Sequence, residues 1–192
     1  MLRSRVIPCL LLKDKGLVKT TQFRNPKYVG DPINAVKIFN DKQADELIFL
    51  DIDCTVKNKE PDYELISIIA SKCRMPICYG GGINNISQIK KIIELGVEKV
   101  SINSAFFSNP DLLKLAAEKF GNQSIVLSLD IKKTGLLKKQ YRVFTNKGKK
   151  IEKFDFENIL PRLKEYGVGE LSINFIDREG TFLGYDFDLI NF

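Results

Sequence analysis

Two stretches of this chain repeat each other, and the repetition restricts its possible folds more than any other feature. Val6–Lys13 reads VIPCLLLK and Ile125–Lys132 reads IVLSLDIK, which sets Leu11 against Asp130. The next apolar runs match as well: Glu46-Leu47 and Ile52-Asp53 answer to Glu170-Leu171 and Ile176-Asp177. Asp130 stands 119 positions after Leu11, and Glu170 stands 124 after Glu46, so the second half carries a connection five residues longer. Repetition on this scale marks a fold assembled from duplicated halves. An acid at only one of two equivalent positions then becomes a question about chemistry.

Short, nearly continuous apolar runs alternate with helical patterns. The runs at Arg5–Leu12, Glu46–Asp51, Pro76–Tyr79, Lys99–Ile102, Ser124–Asp130 and Glu170–Ile176 predict strands covered on both faces. Helices are predicted at Ile33–Asp41 behind the Asp31-Pro32 cap, at Asp62–Lys72, and through Ile86, Ile89, Ile92 and Ile93 up to Gly96. Three more are predicted at Asp111–Phe120, Phe156–Tyr166 and Asp186–Asn191. Such alternation implies an α/β protein with a parallel sheet and helices outside it. A flavodoxin-like open sheet fits the length. The duplication instead makes strands five and six the start of a second half of four. That points to a (β/α)8 TIM barrel built from two half-barrel repeats, which usually takes about 250 residues. The expectation is one barrel domain over residues 1–192, with strands 1–6 present, strands 7–8 missing, and unpaired edges on strands one and six. Val143–Phe144 and Lys150–Phe154, flanking Thr145–Lys149, predict a hairpin after the fifth strand.

The chain has no histidine, which removes Ser-His and Cys-His nucleophiles and imidazole metal sites. No metal and no cofactor is called for. Proton transfer falls to Asp, Glu, Lys, Tyr or Cys. Cys9, Cys54, Cys73 and Cys78 form no CxxC and read as small apolar residues of a reducing, cytoplasmic compartment. No apolar run is long enough to cross a membrane. The net charge of +6 is concentrated in Lys132, Lys133, Lys138, Lys139, Arg142, Lys147, Lys149, Lys150 and Lys153. A solvated hairpin explains this cluster better than a polyanion surface, and an anionic substrate would also suit it. A nucleic-acid module ranks last, because only Tyr141 and Phe144 interleave the cations.

In a parallel barrel, residues at the C-terminal strand ends face the active site. That rule selects Leu11, Lys13 and Lys19, then Asp51 and Asp53, then Gly80-Gly81-Gly82, then Asn103-Ser104, then Asp130, and finally Asp177, Glu179, Gly180 and Thr181. Gly80-Gly81-Gly82 can offer bare N–H groups to a phosphate, with Asn103 and Ser104 as further donors. Asp130, ending an apolar strand, is the first candidate for acid or base, and Asp51 the second.

VIPCLLLKDKGLVKT, ADELIFLDID, YGGGI, EKVSINSA, SLDIK and IDREGTFLGYD resemble the cyclase subunit of imidazole glycerol phosphate synthase, along essentially the whole chain. The resemblance implies a barrel that receives ammonia from a glutaminase and joins it to a bisphosphorylated ribulosyl aminoimidazole. The products are imidazole glycerol phosphate and aminoimidazole carboxamide ribotide. It assigns Gly82, Asn103 and Ser104 to one phosphate site, and Glu179 and Gly180 to the other. It puts Lys19 on a mobile loop and makes Asp130 the second of two catalytic aspartates. It matches Arg5, Glu46, Lys99 and Glu170 to a charged ring where ammonia enters; the residues alone suggest a structural salt-bridge ring. The other catalytic aspartate would fall on Leu11, and Asn174 stands where threonine is usual. The sequence is more similar to a diverged branch that shares the Cys-Leu-Leu-Leu-Lys strand. That branch implies work beside a glutaminase and a separate amidotransferase, converting an acetamido group on a surface-polysaccharide sugar to an acetamidino group. The readings left open are that role, the histidine-pathway cyclase (a lyase), and a non-catalytic ammonia-conducting scaffold.

Overall fold

A computed structural model describes residues 3–135 and 140–191. Of the basic cluster, Lys138 and Lys139 lie outside the described residues. The strands are β1 (Cys9–Lys13), β2 (Gly16–Thr21), β3 (Arg24–Gly30), β4 (Leu47–Asp51), β5 (Ile77–Gly80), β6 (Lys99–Ile102), β7 (Ile125–Thr134), β8 (Gln140–Thr145), β9 (Lys150–Asp155) and β10 (Glu170–Phe175). The helices are α1 (Pro32–Lys42), α2 (Tyr63–Lys72), α3 (Ile86–Glu94), α4 (Ser104–Ser108), α5 (Asp111–Phe120), α6 (Phe156–Ile159) and α7 (Phe187–Ile190).

Six strands pair in parallel and in chain order: β1, β4, β5, β6, β7, β10. This is a mixed α/β fold with a mainly parallel sheet, as the alternation predicts. Among the described residues the ladder is open, since β10 pairs only with β7 and β1 does not reach it. Helix α1 starts behind its predicted cap, and three more helices are capped in the same way. Asp31, Asp62, Asn85 and Asp186 each accept a bond from the N–H three residues on, and Pro32 opens α1. Val36, Ile66, Ile69, Ile89, Ile92 and Leu113 are buried against the strands. No helix among the described residues is long and apolar enough to cross a membrane.

Four expectations need correction. The stretch after β1 is an antiparallel hairpin, β2–β3, rather than a loop. Its turns use Asp14-Lys15 and Gln22-Phe23, all with positive φ. None of these is the Asn-Gly or Asp-Gly signal of such turns, so the sequence pattern is silent there. Second, β2 pairs with Leu11–Lys13, so the upper half of the first strand's outer edge is covered. Third, the helix expected over Phe156–Tyr166 stops at Ile159 and becomes a single 3-10 turn over Leu160–Arg162. Pro161 has no N–H for a helical bond, so it cannot lie inside a longer α-helix. Fourth, β1 starts only at Cys9, because Pro8 cannot donate to a ladder.

At the N-terminal strand ends, four charges form a closed ring. Arg5 bonds Glu46 at 2.9 Å and Glu170 at 2.7 Å, while Lys99 bonds the same two carboxylates at 2.7 and 2.9 Å. Glu46 is 1% exposed, so its charge depends on these partners. Lys99→Met should cost about 3 kcal/mol in urea unfolding, because Glu46 keeps only Arg5. Lys99→Met with Glu46→Leu should recover part of that loss; a double variant less stable than the single would contradict this account.

Candidate functional site

At the opposite, C-terminal strand ends lies a cavity of about 930 Å³. Lys19, Asp51, Gly82, Asn103, Ser104, Asp130, Glu179 and Gly180 all line it, as do Leu11 and Cys9. The structure gathers these residues around one space, while Lys13, Asp53, Asp177 and Thr181, selected by the same strand-end rule, do not line it. It sets Arg5, Glu46, Lys99 and Glu170 together at the other end.

Asp130 sits on β7, beside Asn174 of β10 in the parallel register. Its two carboxyl oxygens accept single bonds from the Asn103 and Asn174 amide nitrogens, each at 3.0 Å. Burial pushes the carboxyl up to about 6, while the two amide donors favour the charged form and limit the rise. A carboxyl poised there can carry a proton in either direction near neutral pH. The equivalent register pair in the first half is Leu11 beside Leu50. One half of the mouth is thus polar and hydrogen-bonded, and the other is apolar.

The remaining residues are held in ways the sequence does not reveal. Asp51 folds one oxygen back onto the N–H groups of Asp53 and Cys54, at 3.0 and 3.2 Å, which shapes the turn after β4. Gly81 and Gly82 have φ of 122° and 72°, and a Cβ on Gly81 would stand 2.4 Å from the Asp51 carbonyl oxygen. Bare backbone is therefore required at that corner. The Gly82 N–H reaches the Thr55 hydroxyl at 3.3 Å, and the Asn103 amide is already engaged by Asp130. Glu179 accepts from the Thr20 hydroxyl at 2.7 Å and from the Phe23 N–H at 2.9 Å, so it anchors the β2–β3 hairpin. Gly180 lies directly beneath that hairpin, where a Cβ would be 2.1 Å from the Thr20 carbonyl oxygen. Lys19 is exposed on β2 and faces the cavity.

Sequence reasoning missed Lys147 as a mouth residue, assigning it to a solvated hairpin. The β8–β9 tip instead folds over the cavity, and Lys147 pairs with Asp53. The available signals were the position of that hairpin after the fifth strand, on the side where barrel active sites form, and the fit of its lysines to an anionic substrate. Cys9 is exposed rather than buried; it lines the cavity together with the buried Cys54, while Cys78 is buried and Cys73 half-buried.

A mainly parallel α/β array with a cavity at its C-terminal strand ends is consistent with a TIM-barrel family. Residues 5–192 match the histidine biosynthesis protein family, and the chain belongs to it. The chain is 52% identical over its full length to a Vibrio vulnificus protein named "Putative imidazole glycerol phosphate synthase subunit hisF3", of which it spans 73%. It is likewise 52% identical to the hisF2 counterpart of Pseudomonas aeruginosa, over 99% of the chain and 75% of that protein. A Campylobacter jejuni hisF2 counterpart is 40% identical over 99% of the chain and 74% of its own length. The chain is thus a homologue of the cyclase subunit of that synthase.

A carboxyl raised by folding contributes stability that is full below its unfolded value of about 3.9 and is lost as pH rises through about 6. Asp130→Asn should abolish that loss between pH 4 and 7 in denaturant titrations. In the unaltered chain, NMR should find the Asp130 carboxyl titrating near 6, and Asn174→Leu should move it higher. A midpoint near 4 would refute the burial account.

Proposed function

We infer that this chain is the ammonia-using half of a two-component glutamine amidotransferase. In this reading a glutaminase docks at the end carrying Arg5, Glu46, Lys99 and Glu170, and ammonia passes between the strands to the mouth. The substrate is a phosphorylated or nucleotide-linked small molecule. The reaction is the diverged one, acetamido to acetamidino on a surface-polysaccharide sugar, with a separate amidotransferase alongside, rather than closure of an imidazole.

The observation that carries the reading is the pair of equivalent registers, Asp130 beside Asn174 and Leu11 beside Leu50. Cyclisation by two acids needs a second proton carrier, and leucine cannot be one. Delivering ammonia to an activated carbonyl carbon needs one group that can relay a proton, and Asp130 suits that task. The complete ring at the other end supports a retained ammonia supply. Ser104 serves one phosphate, beside Gly82 and Asn103 once they exchange their bonds to Thr55 and Asp130, and Gly180 serves the other. Lys19 approaches the substrate from the hairpin, while Asp51 and Glu179 shape the site around it. The domain is read as the first six units of the barrel.

Co-expressed with a glutaminase partner, the chain should bind it and raise glutamine hydrolysis, and Lys99→Met should weaken both. It should not turn over the ribulosyl aminoimidazole, and Leu11→Asp alone should not restore cyclisation, because that aspartate would stand beside Leu50 and Val18 without amide donors. Turnover of that compound by the unaltered chain would return it to the histidine pathway. Amidination that survives Asp130→Asn but fails with Arg5→Met would reduce the chain to an ammonia conduit.

A further inference from the structure

We propose that Lys147 is a ligand-binding cation of the mouth, parked on Asp53 and released to an anionic substrate group because Lys57 remains to pair that carboxylate. The inference deepens the reading above and rests on the cavity being a substrate site.

The β8–β9 tip is fixed over the cavity rather than waving in solvent. Asn146, Lys147 and Gly148 all take positive φ, which turns the chain sharply downward. Gly148 packs so closely that a Cβ there would stand 3.2 Å from Ile176 Cδ1 and 3.6 Å from the Phe23 ring. This seats the tip between the β2–β3 hairpin and the loop after β10. Lys147 is brought to Asp53, a carboxylate only 5% exposed, in the turn after β4.

Asp53 holds two ammonium groups, Lys147 and Lys57. A buried carboxylate stripped of its only cation would be costly. Here Lys57 covers that cost, and Asp14 lies 3.5 Å from Lys57 to complete its own pairing. Burial works to raise the Asp53 carboxyl, yet the two lysines together hold it at about 2, so it is charged in the resting arrangement. Lys147 is therefore the replaceable member, and it is the one of the two that lines the cavity. A lysine is suited to such exchange, being a compact charge on a flexible stem.

The lining around it selects anions. Lys19, Lys27 and Lys59 also face the cavity and form no ion pair among the described residues. The lining acids are occupied: Asp51 by its own turn, Asp130 by two amides, and Glu179 by the hairpin. The ligand class is a small molecule carrying phosphate or pyrophosphate, for which several convergent cations and a 930 Å³ space are appropriate.

Calorimetric titration of the full chain with inorganic pyrophosphate at fixed ionic strength tests this. Lys147→Gln should weaken binding about tenfold with an unchanged unfolding midpoint. Lys57→Gln should also weaken it, because Asp53 then retains Lys147. The double variant should bind no more weakly than Lys147→Gln alone; additive losses would mean that each lysine acts only through its field and would overturn the exchange. Unchanged binding in Lys147→Gln overturns the inference while leaving the anion site standing. No binding by the unaltered chain overturns both.

Discussion

The ring of Arg5, Glu46, Lys99 and Glu170 is the constraint on which the rest of the structure depends. It ties the segment before β1 to the starts of β4, β6 and β10, so it spans the whole parallel array. Each contact is between 2.7 and 2.9 Å, and two carboxylates share two cations in alternation. A flat six-stranded sheet would separate its first and last strands by about five inter-strand spacings of roughly 4.8 Å. Contact between Arg5 and Glu170 therefore requires the sheet to curl, although the ladder itself stays open. Burial pushes the Glu170 carboxyl up and the paired cations overcome it, leaving it below its ordinary value. The ring thus holds the lower ends of the curled array together, each cation joining both carboxylates.

With the lower end drawn together, the upper end takes its form from two hairpins at equivalent places in the repeat. β2–β3 follows β1 and β8–β9 follows β7, each turning back over the mouth. Their tips are secured differently. The first is held by hydrogen bonds to Glu179, and the second by the packing of Gly148 against Ile176 and Phe23, with Lys147 resting on Asp53. The duplication visible in VIPCLLLK and IVLSLDIK therefore extends into the excursions that follow, where Lys13, Gly16, Leu17 and Lys19 are matched at the same offset by Lys132, Gly135, Leu136 and Lys138. Each copy also brings a lysine to the cavity, Lys19 from one and Lys147 from the other.

What was legible in the sequence followed from period and composition. The parallel strands are nearly continuous apolar runs, the Asp31-Pro32 cap announces α1, and apolar stripes announce α2 and α3. Strand ends then fixed which residues share the mouth. What stayed hidden involves conformation without a compositional mark. β3, RNPKYVG, is exposed at six of its seven positions and contains Pro26, so nothing apolar announces a strand. It exists because β2 offers it a ladder. Lys147 read as solvated because a lysine beside a turn usually is, and only the distant burial of Asp53 gives it another place. Glu179 read as a phosphate-corner residue, yet its two oxygens are spoken for by a hairpin 156 to 159 positions earlier in the chain.

The unequal pair that the repeat exposes is more than one missing acid. In the second half, Asp130 is flanked in register by Asn174 and approached by Asn103, a set that keeps a buried carboxyl hydrogen-bonded. In the first half the same register pairs Leu11 with Leu50, and Val18 pairs with Leu11 from the hairpin side. Restoring an aspartate at position 11 would set a carboxylate among these leucines without the amide donors that Asp130 has. An isolated charge there would rise in pKa and tend to stay protonated. The apolar half of the mouth is therefore a consistent local environment, fitted to an uncharged part of a substrate. The proton chemistry is concentrated on the side where Asn103 and Asn174 can support it.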